Sequence, residues 1–435
     1  MKWFRRIARI MARVLIFCVV LSGLNYIYVD VPPWERILWH NFYESEGKID
    51  NLYLGSSHVY YDIDPFLMDE LNGQYNFNLS TSGQVMNGTY YLLREADKHN
   101  DLSHVYIELY YGRNTGGGDV DRVTQEPWFN WQNTDCMKWS ANKILYMLSI
   151  TNDVENYIDL LIPFSRYREH LGDYEYIKST IETKVSGEYQ YVDEFEEYLD
   201  KGFRYSEIVY KAEDRAFKRN QTLGENPMAQ SCELYLRKAI EYCQKENIPV
   251  TLFISPMYNL QPVSAGNYDN YINQIKGIAA EYGLDFYDFN LAKDAYLPIQ
   301  KLEYFRDVDH LNSAGAEVFT HFFHKVVTGD ARQNQKYFYD SYEQKLQSLK
   351  PEVYGIHYWK SGSETFMHVA SNRDSGMEYR IVITPDEFSG REPYVVQDFC
   401  ENKEFTVEDG NGICTVEYRM KDFPGAVRTV EVAYE

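Results

Sequence analysis

The stretch Asn51-Leu-Tyr-Leu-Gly-Ser-Ser-His58 decides how the rest of the chain is interpreted. Its apolar run, residues 52–54, predicts a short buried strand, and Gly55 lets the backbone turn sharply after it. Ser56 and Ser57 then lie where a helix would begin, beside backbone N–H groups that lack a partner within the helix. A serine at such a turn is presented at the edge of a sheet, although the same pattern is typical of a Gly-Ser turn with a serine helix cap.

Further strands alternate with helices along the chain, which predicts an α/β fold built on a parallel sheet. Because crossover helices cover both faces of such a sheet, ligands bind at the carboxyl ends of its strands. After the first strand, the sequence predicts strands at 75–79, 105–111, 249–254 and 284–289, with helices at 233–247 and 268–282.

Polar residues follow these strands at the edge where ligands are expected. Ser57 follows the first strand, Gly83 the second and Asn114 the third. Asp307 and His310 come after the fifth strand, in the loop before a helix with an apolar stripe. An Asp and a His are also ordinary in a solvated loop, but this pair lies at the sheet end where Ser57 is expected.

Together these residue types suit acyl transfer to a serine. An alcohol is a poor nucleophile until a base takes its proton, and His310 is the candidate base. Asp307 lies three residues earlier and can fix the imidazole tautomer. The N–H groups of Ser57 and Gly83 and the amide of Asn114 are the candidate donors to a developing oxyanion.

Some neighbouring residues compete for these roles. Asn78 or Asn87 is an alternative to Asn114 as the amide donor. We expect the side chain of Asp309 to point away from the site, since it is adjacent to His310 in the chain. The same argument predicts a structural role for His58.

The order of these blocks resembles the SGNH (GDSL-like) hydrolase superfamily. The resemblance covers about residues 48–330 and rests on Gly55-x-Ser57, Gly83, Gly112-x-Asn114 and Asp307-x-x-His310. It implies a flavodoxin-like parallel-sheet core in which Ser57 is the nucleophile and His310 and Asp307 complete the triad. It also implies that Gly83 and Asn114 complete the oxyanion hole with Ser57.

One block departs from the family pattern, since Gly55-Ser56-Ser57 replaces the usual Gly-Asp-Ser. In this respect the chain looks more like the branch that contains the teichoic acid D-alanyl transfer protein and the alginate-type O-acetylation proteins. Members of that branch are membrane-anchored, face outward and work beside membrane-bound O-acyltransferases. The resemblance therefore implies a teichoic-acid-like or other polysaccharide substrate and such an acyltransferase as a possible partner.

The first 31 residues predict a membrane anchor. A basic cluster within residues 2–13 precedes an apolar run at 14–29, and with residues 10–12 the segment reaches the ~20 residues that span a bilayer. The positive-inside rule places the N-terminus in the cytoplasm and the chain after about residue 30 outside. A cleaved signal peptide is the alternative, although no clear A-x-A site follows the run.

The remaining chain divides into two predicted parts. Residues 32–335 form the α/β domain, which contains an aromatic helical insertion at 115–230. The insertion either covers the site, docks a membrane partner or packs a small core of its own. Residues 336–435 predict a linker helix, at 337–349, and a small β-sandwich of short alternating strands. Three arginines in and before the insertion are candidates for binding an anionic substrate, or are solvated surface residues: Arg113, Arg166 and Arg168.

Composition narrows the classes of function. The 435 residues carry a net charge of −22, which argues against nucleic acid and against broad adhesion to anionic surfaces. No cysteine or histidine spacing predicts a metal site, and no P-loop or other cofactor motif is present. Cys400 and Cys414 could pair across a hairpin in an oxidising compartment, although sequence alone leaves this open.

Two hypotheses follow. The first is a membrane-anchored, extracytoplasmic serine O-acyltransferase or esterase that acts on a cell-surface glycan through an acyl-Ser57 intermediate. The second is a non-catalytic anchored adaptor that binds glycan or a membrane-bound O-acyltransferase. A complete set of Ser57, Asp307 and His310 favours the first hypothesis, because an adaptor has no need of it.

Overall fold

The computed structural model describes residues 2–30, 33–116, 128–151, 153–187, 191–218, 222–408 and 410–435. The strands, in chain order, are β1 (Asn51–Leu54), β2 (Asn76–Asn78), β3 (His104–Glu108), β4 (Glu196–Leu199), β5 (Phe203–Ser206), β6 (Ala216–Lys218), β7 (Val250–Ile254), β8 (Asp285–Asp288), β9 (Val353–Ser361), β10 (Glu364–Ser371), β11 (Met377–Pro385), β12 (Tyr394–Cys400), β13 (Glu404–Glu408), β14 (Gly412–Met420) and β15 (Phe423–Tyr434).

The helices of the described residues are, again in chain order, α1 (Lys2–Tyr28), α2 (Pro33–Glu44), α3 (Ser57–Asp62), α4 (Pro65–Asn72), α5 (Met86–His99), α6 (Tyr111–Asn114), α7 (Trp128–Cys136), α8 (Ala141–Ile150), α9 (Val154–Leu161), α10 (Tyr174–Ser186), α11 (Gln230–Glu246), α12 (Leu260–Ala265), α13 (Tyr268–Tyr282), α14 (Ser313–Val327), α15 (Ala331–Asn334) and α16 (Tyr342–Ser348). A 3-10 helix, Pro163–His170, lies between α9 and α10.

Five strands form one parallel sheet in the order β2-β1-β3-β7-β8. Alternate side chains enter different cores, as strand geometry requires. On β1, Leu52 and Leu54 belong to the core that contains α2, α5, α11 and α13. Tyr53 belongs to the core on the other face, with Phe323 of α14. The predicted α/β fold with a parallel sheet is confirmed.

The predicted insertion packs against the α/β core. Tyr146, Met147 and Ile150 of α8 are buried in the same cluster as β1 and α5. β4 and β5 form a hairpin, and β6 pairs in parallel with β9. The described part of the insertion therefore shares its core with the sheet and does not form a core of its own.

The C-terminal strands form two four-stranded sheets, β13-β10-β9-β6 and β12-β11-β14-β15, that are antiparallel apart from the β6–β9 pair. Both sheets contribute side chains to one apolar core, for example Ile356 and Val369 from the first and Ile381 and Val416 from the second. The predicted antiparallel strands are confirmed.

Helix α1 is long and apolar enough to cross a membrane. Its span Trp3–Tyr28 has a mean hydropathy of 2.1 in its most apolar window, and none of that window is buried. Length and composition of this kind fit a membrane anchor and also fit a signal sequence.

Three expectations need correction. The third strand ends at Glu108 and not at residue 111, because Tyr111 begins α6 and its hydroxyl donates to Gln261 Oε1 at 3.0 Å. The linker helix covers only Tyr342–Ser348, because the preceding Phe338 pairs with Ala292 in an isolated bridge. Cys400 and Cys414 are free thiols on β12 and β14, which lie on opposite sides of β11, about 9 Å apart at the ~4.7 Å strand spacing.

Substitution of Phe323 tests how strongly the core that contains Tyr53 stabilises the sheet. It is fully buried, and its ring centroid lies 5.0 Å from Phe253 and 5.4 Å from Tyr106. We expect Phe323→Ala to lower the free energy of unfolding by about 3–5 kcal/mol, because it leaves a cavity between helix and sheet. Phe388→Ala is the matched control, since that ring is 97% exposed. Equal melting temperatures of the two variants would contradict this packing.

Candidate active site

The turn after β1 places Ser57 at the start of α3. Gly55 is required there, because a Cβ atom would lie 2.6 Å from Glu108 Cβ and 2.8 Å from Val59 Cγ2. Ser56 occupies the N-cap position, but its side chain makes no capping hydrogen bond. The N–H groups of the first turn of α3, where Ser57 lies, have no partner within the helix.

Ser57, His310 and Asp307 are joined by hydrogen bonds. Ser57 Oγ lies 2.7 Å from His310 Nε2. His310 Nδ1 lies 2.9 Å from Asp307 Oδ1 and 3.0 Å from Oδ2. The structure thus brings together all three residues of the predicted triad, across 253 positions of sequence between the serine and the histidine.

The carboxylate next to His310 makes its imidazole more basic. Burial alone would lower the pKa of His310, but the Asp307 carboxylate outweighs it, so the pKa lies above its ordinary value. Burial would raise the pKa of Asp307, yet the charge and hydrogen bond of His310, followed by Arg306, hold it well below the usual range. Asp307 therefore stays ionised and can stabilise an imidazolium at His310.

The β4–β5 hairpin of the insertion supports the acid of the triad. Arg306 Nη1 donates to Asp307 Oδ2 at 2.7 Å. The same guanidinium bonds to Glu196 of β4, with Nε 3.0 Å from Oε1, and lies over the ring of Tyr61. Tyr61 OH also donates to Glu196 Oε1 at 3.2 Å. The hairpin thus fixes Arg306, which in turn orients Asp307.

Helix α3 also holds the loop that carries His310. The Leu311 N–H donates to Asp62 Oδ1 at 3.0 Å, and Asp62 lies in the last turn of α3. Asp309 is turned away from Ser57, as predicted from its position beside His310. Its Oδ1 accepts from Tyr110 OH at 3.1 Å and from Gln261 Nε2.

A set of buried side chains, those of Ser56, His58 and Glu108, lies beside the turn that carries Ser57. Ser56 Oγ lies 3.3 Å from Glu108 Oε2 and 3.2 Å from His58 Nδ1. The His58 ring packs against that of His310, with 4.7 Å between centroids, and against Tyr110 at 4.1 Å. Burial, and then the charge of His310, lowers the pKa of His58 well below its ordinary value. His58 is therefore a neutral ring in contact with the candidate base.

The predicted oxyanion donors have different surroundings. Gly83 has φ +62°, and a Cβ there would lie 2.4 Å from the Phe129 ring. Asn114 is buried, and its Nδ2 donates to Tyr110 O at 3.1 Å, within its own helical turn. Of the alternatives, Asn78 Nδ2 donates to Ile63 O at 2.8 Å, and Asn87 Nδ2 to Ser149 Oγ at 3.2 Å. Oxyanion roles for Ser57, Gly83 and Asn114 stay predictions.

The candidate anion-binding arginines lie in different places. Arg113 Nε donates to Gly83 O at 3.1 Å, and its guanidinium stacks on the Phe129 ring at 4.1 Å. It therefore lies at the predicted active-site edge, under an aromatic side chain of the insertion. Arg166 is paired with Asp135 instead, with Nη2 to Oδ1 at 2.6 Å. Arg168 lies in the 3-10 helix Pro163–His170.

No group of three or more His, Cys, Asp or Glu side chains in the described ranges is arranged to hold a metal ion. The side chains of His310 and Asp307 are both accessible to solvent. His310 and Asp307 are 16% and 35% exposed, whereas Glu108 is buried at 2%.

Sequence reasoning missed the residues that support the triad. Glu108 ends a strand and reads as an ordinary strand terminus, and Glu196 lies 111 positions before Asp307 in a weakly patterned insertion. Arg306 was the one signal available, since it immediately precedes Asp307. Asp62 gave no signal, because an aspartate near the end of a short helix is common.

No protein-family model matches the sequence, and no curated protein matches it at a significant level. One of the solved structures to which the chain is similar is a crystal structure of a Bacteroides fragilis protein assigned provisionally as an acylhydrolase. The two chains are 10% identical, and the superposition has a TM-score of 0.31, covering 66% of this chain and 92% of that chain. A likeness this slight carries no argument about activity, so the site is argued from its own geometry.

Glu108 gives a prediction about pH and stability. Burial raises its pKa to about 8, and Oε1 has no hydrogen-bond partner among the described residues. Below pH ~4.5 the carboxyl is protonated in both the folded and unfolded chain. Between there and about 8 only the unfolded chain releases the proton, so the folded state loses stability as pH rises, by about 3–5 kcal/mol in all.

Glu108→Gln removes this titration while its amide oxygen can still accept from Ser56. We therefore expect the variant to gain in melting temperature relative to the wild type between pH 5 and pH 8. The measurement is thermal unfolding of the full chain in detergent across that range, with Glu435→Gln as a control at an exposed terminal acid. Parallel pH profiles of Glu108→Gln and the wild type would show that Glu108 does not carry a raised pKa.

Proposed function

We propose that the chain is a serine O-acyltransferase or esterase that acts through an acyl-Ser57 intermediate. The observation that carries this proposal is the continuous set of hydrogen bonds from Ser57 Oγ to His310 Nε2 and from His310 Nδ1 to Asp307. A serine with its base in hydrogen-bonding range, and that base oriented by a third group, is the arrangement that nucleophilic catalysis requires.

The strand order supports the finer assignment of the fold. Counted along the chain, the five strands of the parallel sheet lie in the order 2-1-3-4-5, which is that of flavodoxin-like sheets. Ser57 follows the first strand and Asp307 and His310 follow the fifth, as the SGNH resemblance implies. A flavodoxin-like SGNH core is therefore the fold that we propose.

The reaction begins when His310 Nε2 takes the proton of the Ser57 hydroxyl. Oγ attacks the acyl carbonyl carbon, and the carbonyl oxygen becomes an oxyanion. The N–H of Ser57, with Gly83 and Asn114, would donate to that oxygen once the acyl donor is bound. Collapse of the adduct breaks the bond to the leaving oxygen, which takes the proton from His310, and leaves the acyl group as an ester of Ser57.

The second half uses the same residues in reverse. A new hydroxyl gives its proton to His310 and attacks the acyl-Ser57 carbonyl, and Ser57 leaves with the proton returned by His310. Water as this nucleophile makes the chain an esterase, and a sugar hydroxyl makes it a transferase. Asp307 remains ionised throughout, because its pKa is held below the usual range.

We propose a cell-surface glycan, such as a teichoic-acid-like polymer or another polysaccharide, as the acyl acceptor or ester substrate. The support is the apolar helix α1 ahead of the catalytic domain and the basic residues at its N-terminal end. As an anchor with a cytoplasmic N-terminus, α1 would hold the domain on the outer face of the cell membrane. A membrane-bound O-acyltransferase is the partner that such a location suits.

Labelling with a serine-reactive fluorophosphonate tests the nucleophile. We expect the full chain to label and Ser57→Ala to lose labelling, because only Ser57 has its hydroxyl bonded to His310. Ser56→Ala is the matched control, since the adjacent hydroxyl is buried against Glu108 and His58. Labelling that survives Ser57→Ala, or a wild-type chain that stays inert while folded, would refute the proposal.

The pH profile of labelling tests the base and its acid. Neutral His310 is the reactive form, and its pKa is raised by Asp307, so the labelling rate should fall as pH drops through that raised value. Asp307→Asn should reduce the rate about 10³–10⁴-fold and move the fall to lower pH, because the charge that raises the pKa is gone. Asp398→Asn, at a side chain 86% exposed, should leave both unchanged. An unshifted profile in Asp307→Asn would exclude Asp307 from the triad.

A further inference from the structure

A cavity of about 620 Å³ lies beside the last turns of α1, away from the triad. Its walls come from α1, α2, α8 and α10 and from the end of α7. The insertion holds α1 in place there by bonds to its carbonyl groups and to one side chain. Lys184 Nζ donates to Tyr26 O at 2.7 Å, Tyr176 OH donates to Tyr28 O at 2.8 Å, and the Phe164 N–H donates to Asn25 Oδ1 at 3.1 Å.

The cavity carries positive charge in a chain whose net charge is −22. Its lining includes Lys138, Lys143 and Lys184, and no carboxylate of the described residues lies within ion-pair distance of any of the three. Asp135 is the carboxylate of the lining, and its two oxygens accept from Arg166 at 2.6 and 2.7 Å. Positive charge in this cavity is therefore left for an anion to balance.

One of these lysines is held inside the protein. Lys143 is only 5% exposed, and its Nζ donates to Met137 O at 2.9 Å. Burial lowers the pKa of Lys143, and burial followed by the charge of Arg36 lowers that of Lys184 to about 8. A bound anion would offset the cost of burying these charges, and lysine ammonium groups are suited to binding phosphate.

Apolar surface surrounds the charged part. Trp39 and Trp139 line the cavity, and Trp139 is 61% exposed. Helix α8, which supplies Lys143, and the following α9 also expose large aliphatic side chains: Ile144, Leu145, Leu148, Val154, Ile158 and Leu161. Exposed apolar patches of this kind, together with tryptophan beside a cation, are typical of surfaces that meet a membrane interface.

The length of α1 indicates how deep the cavity would lie in a bilayer that this helix crosses. Twenty helical residues counted from Ile10 span about 30 Å, the thickness of the hydrocarbon core, and end near Val29. The cavity is lined by residues from Ser22 to Val29, which correspond to about the last 10 Å of that span. Its end at Val29 therefore lies where the acyl chains of the outer leaflet join their headgroups, a level that lysine side chains reach by extending toward the interface.

We propose that this cavity binds the phosphate headgroup of an anionic lipid in the membrane that α1 crosses. The lysines bind the phosphate, and the exposed aliphatic side chains of α8 and α9 lie against the acyl chains. This inference rests on the anchoring role of α1 under the proposed function, and it does not depend on catalysis at Ser57. Binding there would fix the height and orientation of the catalytic domain over the membrane.

Native mass spectrometry of the full chain in detergent tests this site with phosphatidylglycerol as the probe. We expect the wild type to bind it at least about tenfold more tightly than phosphatidylcholine with the same acyl chains. Lys138→Gln and Lys143→Gln should each weaken phosphatidylglycerol binding by about tenfold. Lys138 is exposed, so its variant stays informative if the buried Lys143→Gln fails to fold, as judged by melting temperature.

Lys238→Gln is the matched control, because Lys238 lies over the ring of Tyr235, as Lys138 lies over that of Tyr43, but on α11 outside the cavity. Equal binding of the two lipids, or unchanged binding in Lys138→Gln, would overturn the proposal. Displacement of the lipid by millimolar inorganic phosphate would show a free-phosphate site and would overturn the lipid assignment. Fluorophosphonate labelling of the same samples tests the catalytic proposal independently of lipid binding.

Discussion

The hydrogen bond from the Leu311 N–H to Asp62 is the contact on which the site depends. It joins the end of the helix that begins with Ser57 to the residue that follows His310, across 249 positions of sequence. Both segments are short, since α3 has six residues and the loop before α14 is closed by an isolated bridge between Phe305 and Leu311. A short hydrogen bond between Ser57 and His310 therefore requires contacts outside the triad, such as that of Leu311 with Asp62, to hold these two segments together.

Further support comes from the insertion, whose role follows from what it touches. The β4–β5 hairpin brings Glu196 to Arg306, which bonds to the triad acid. At the other side of the site, Phe129 of α7 covers Gly83. The same insertion holds the end of α1 through Lys184 and Tyr176. One segment of the chain thus contacts both the end of α1 and the arginine that bonds to Asp307.

Much of this arrangement could be predicted because local patterns of apolar residues and helix-ending residues indicate it. Helix α13 was predicted at its observed bounds, since its apolar period and the following Gly283 mark it clearly. The proximity of Ser57 to Asp307 and His310 could be predicted because the carboxyl ends of parallel strands must meet at one edge. Tyr111 was assigned to a strand because its aromatic side chain favours one, and only the tertiary bond to Gln261 decides otherwise.

The supporting residues could not be predicted, since each acts through a partner that is distant in sequence. A structural role is expected for His58 because it is adjacent to Ser57 in the chain. Adjacency gives no indication that its ring, in the first turn of α3, reaches that of His310. Glu196 and Arg306 show the same limit: an ion pair between positions 110 residues apart leaves no periodic signal in a single sequence.

The buried Glu108 fits a serine at position 56, before Ser57. A Gly-Asp-Ser turn would place a carboxyl at position 56 instead. Here the side chain of residue 56 lies 3.3 Å from the Glu108 carboxyl, with both side chains buried. An aspartate at 56 would bury a second carboxyl within hydrogen-bonding distance of Glu108, whose own pKa burial already raises to about 8, so a second group would carry the cost of desolvation. The Ser56 hydroxyl instead donates to Glu108 and also contacts His58. The carboxyl beside the turn therefore comes from Glu108, at the end of β3. Ser56 and the acid at 108 are therefore one feature of the structure, joined by a buried hydrogen bond.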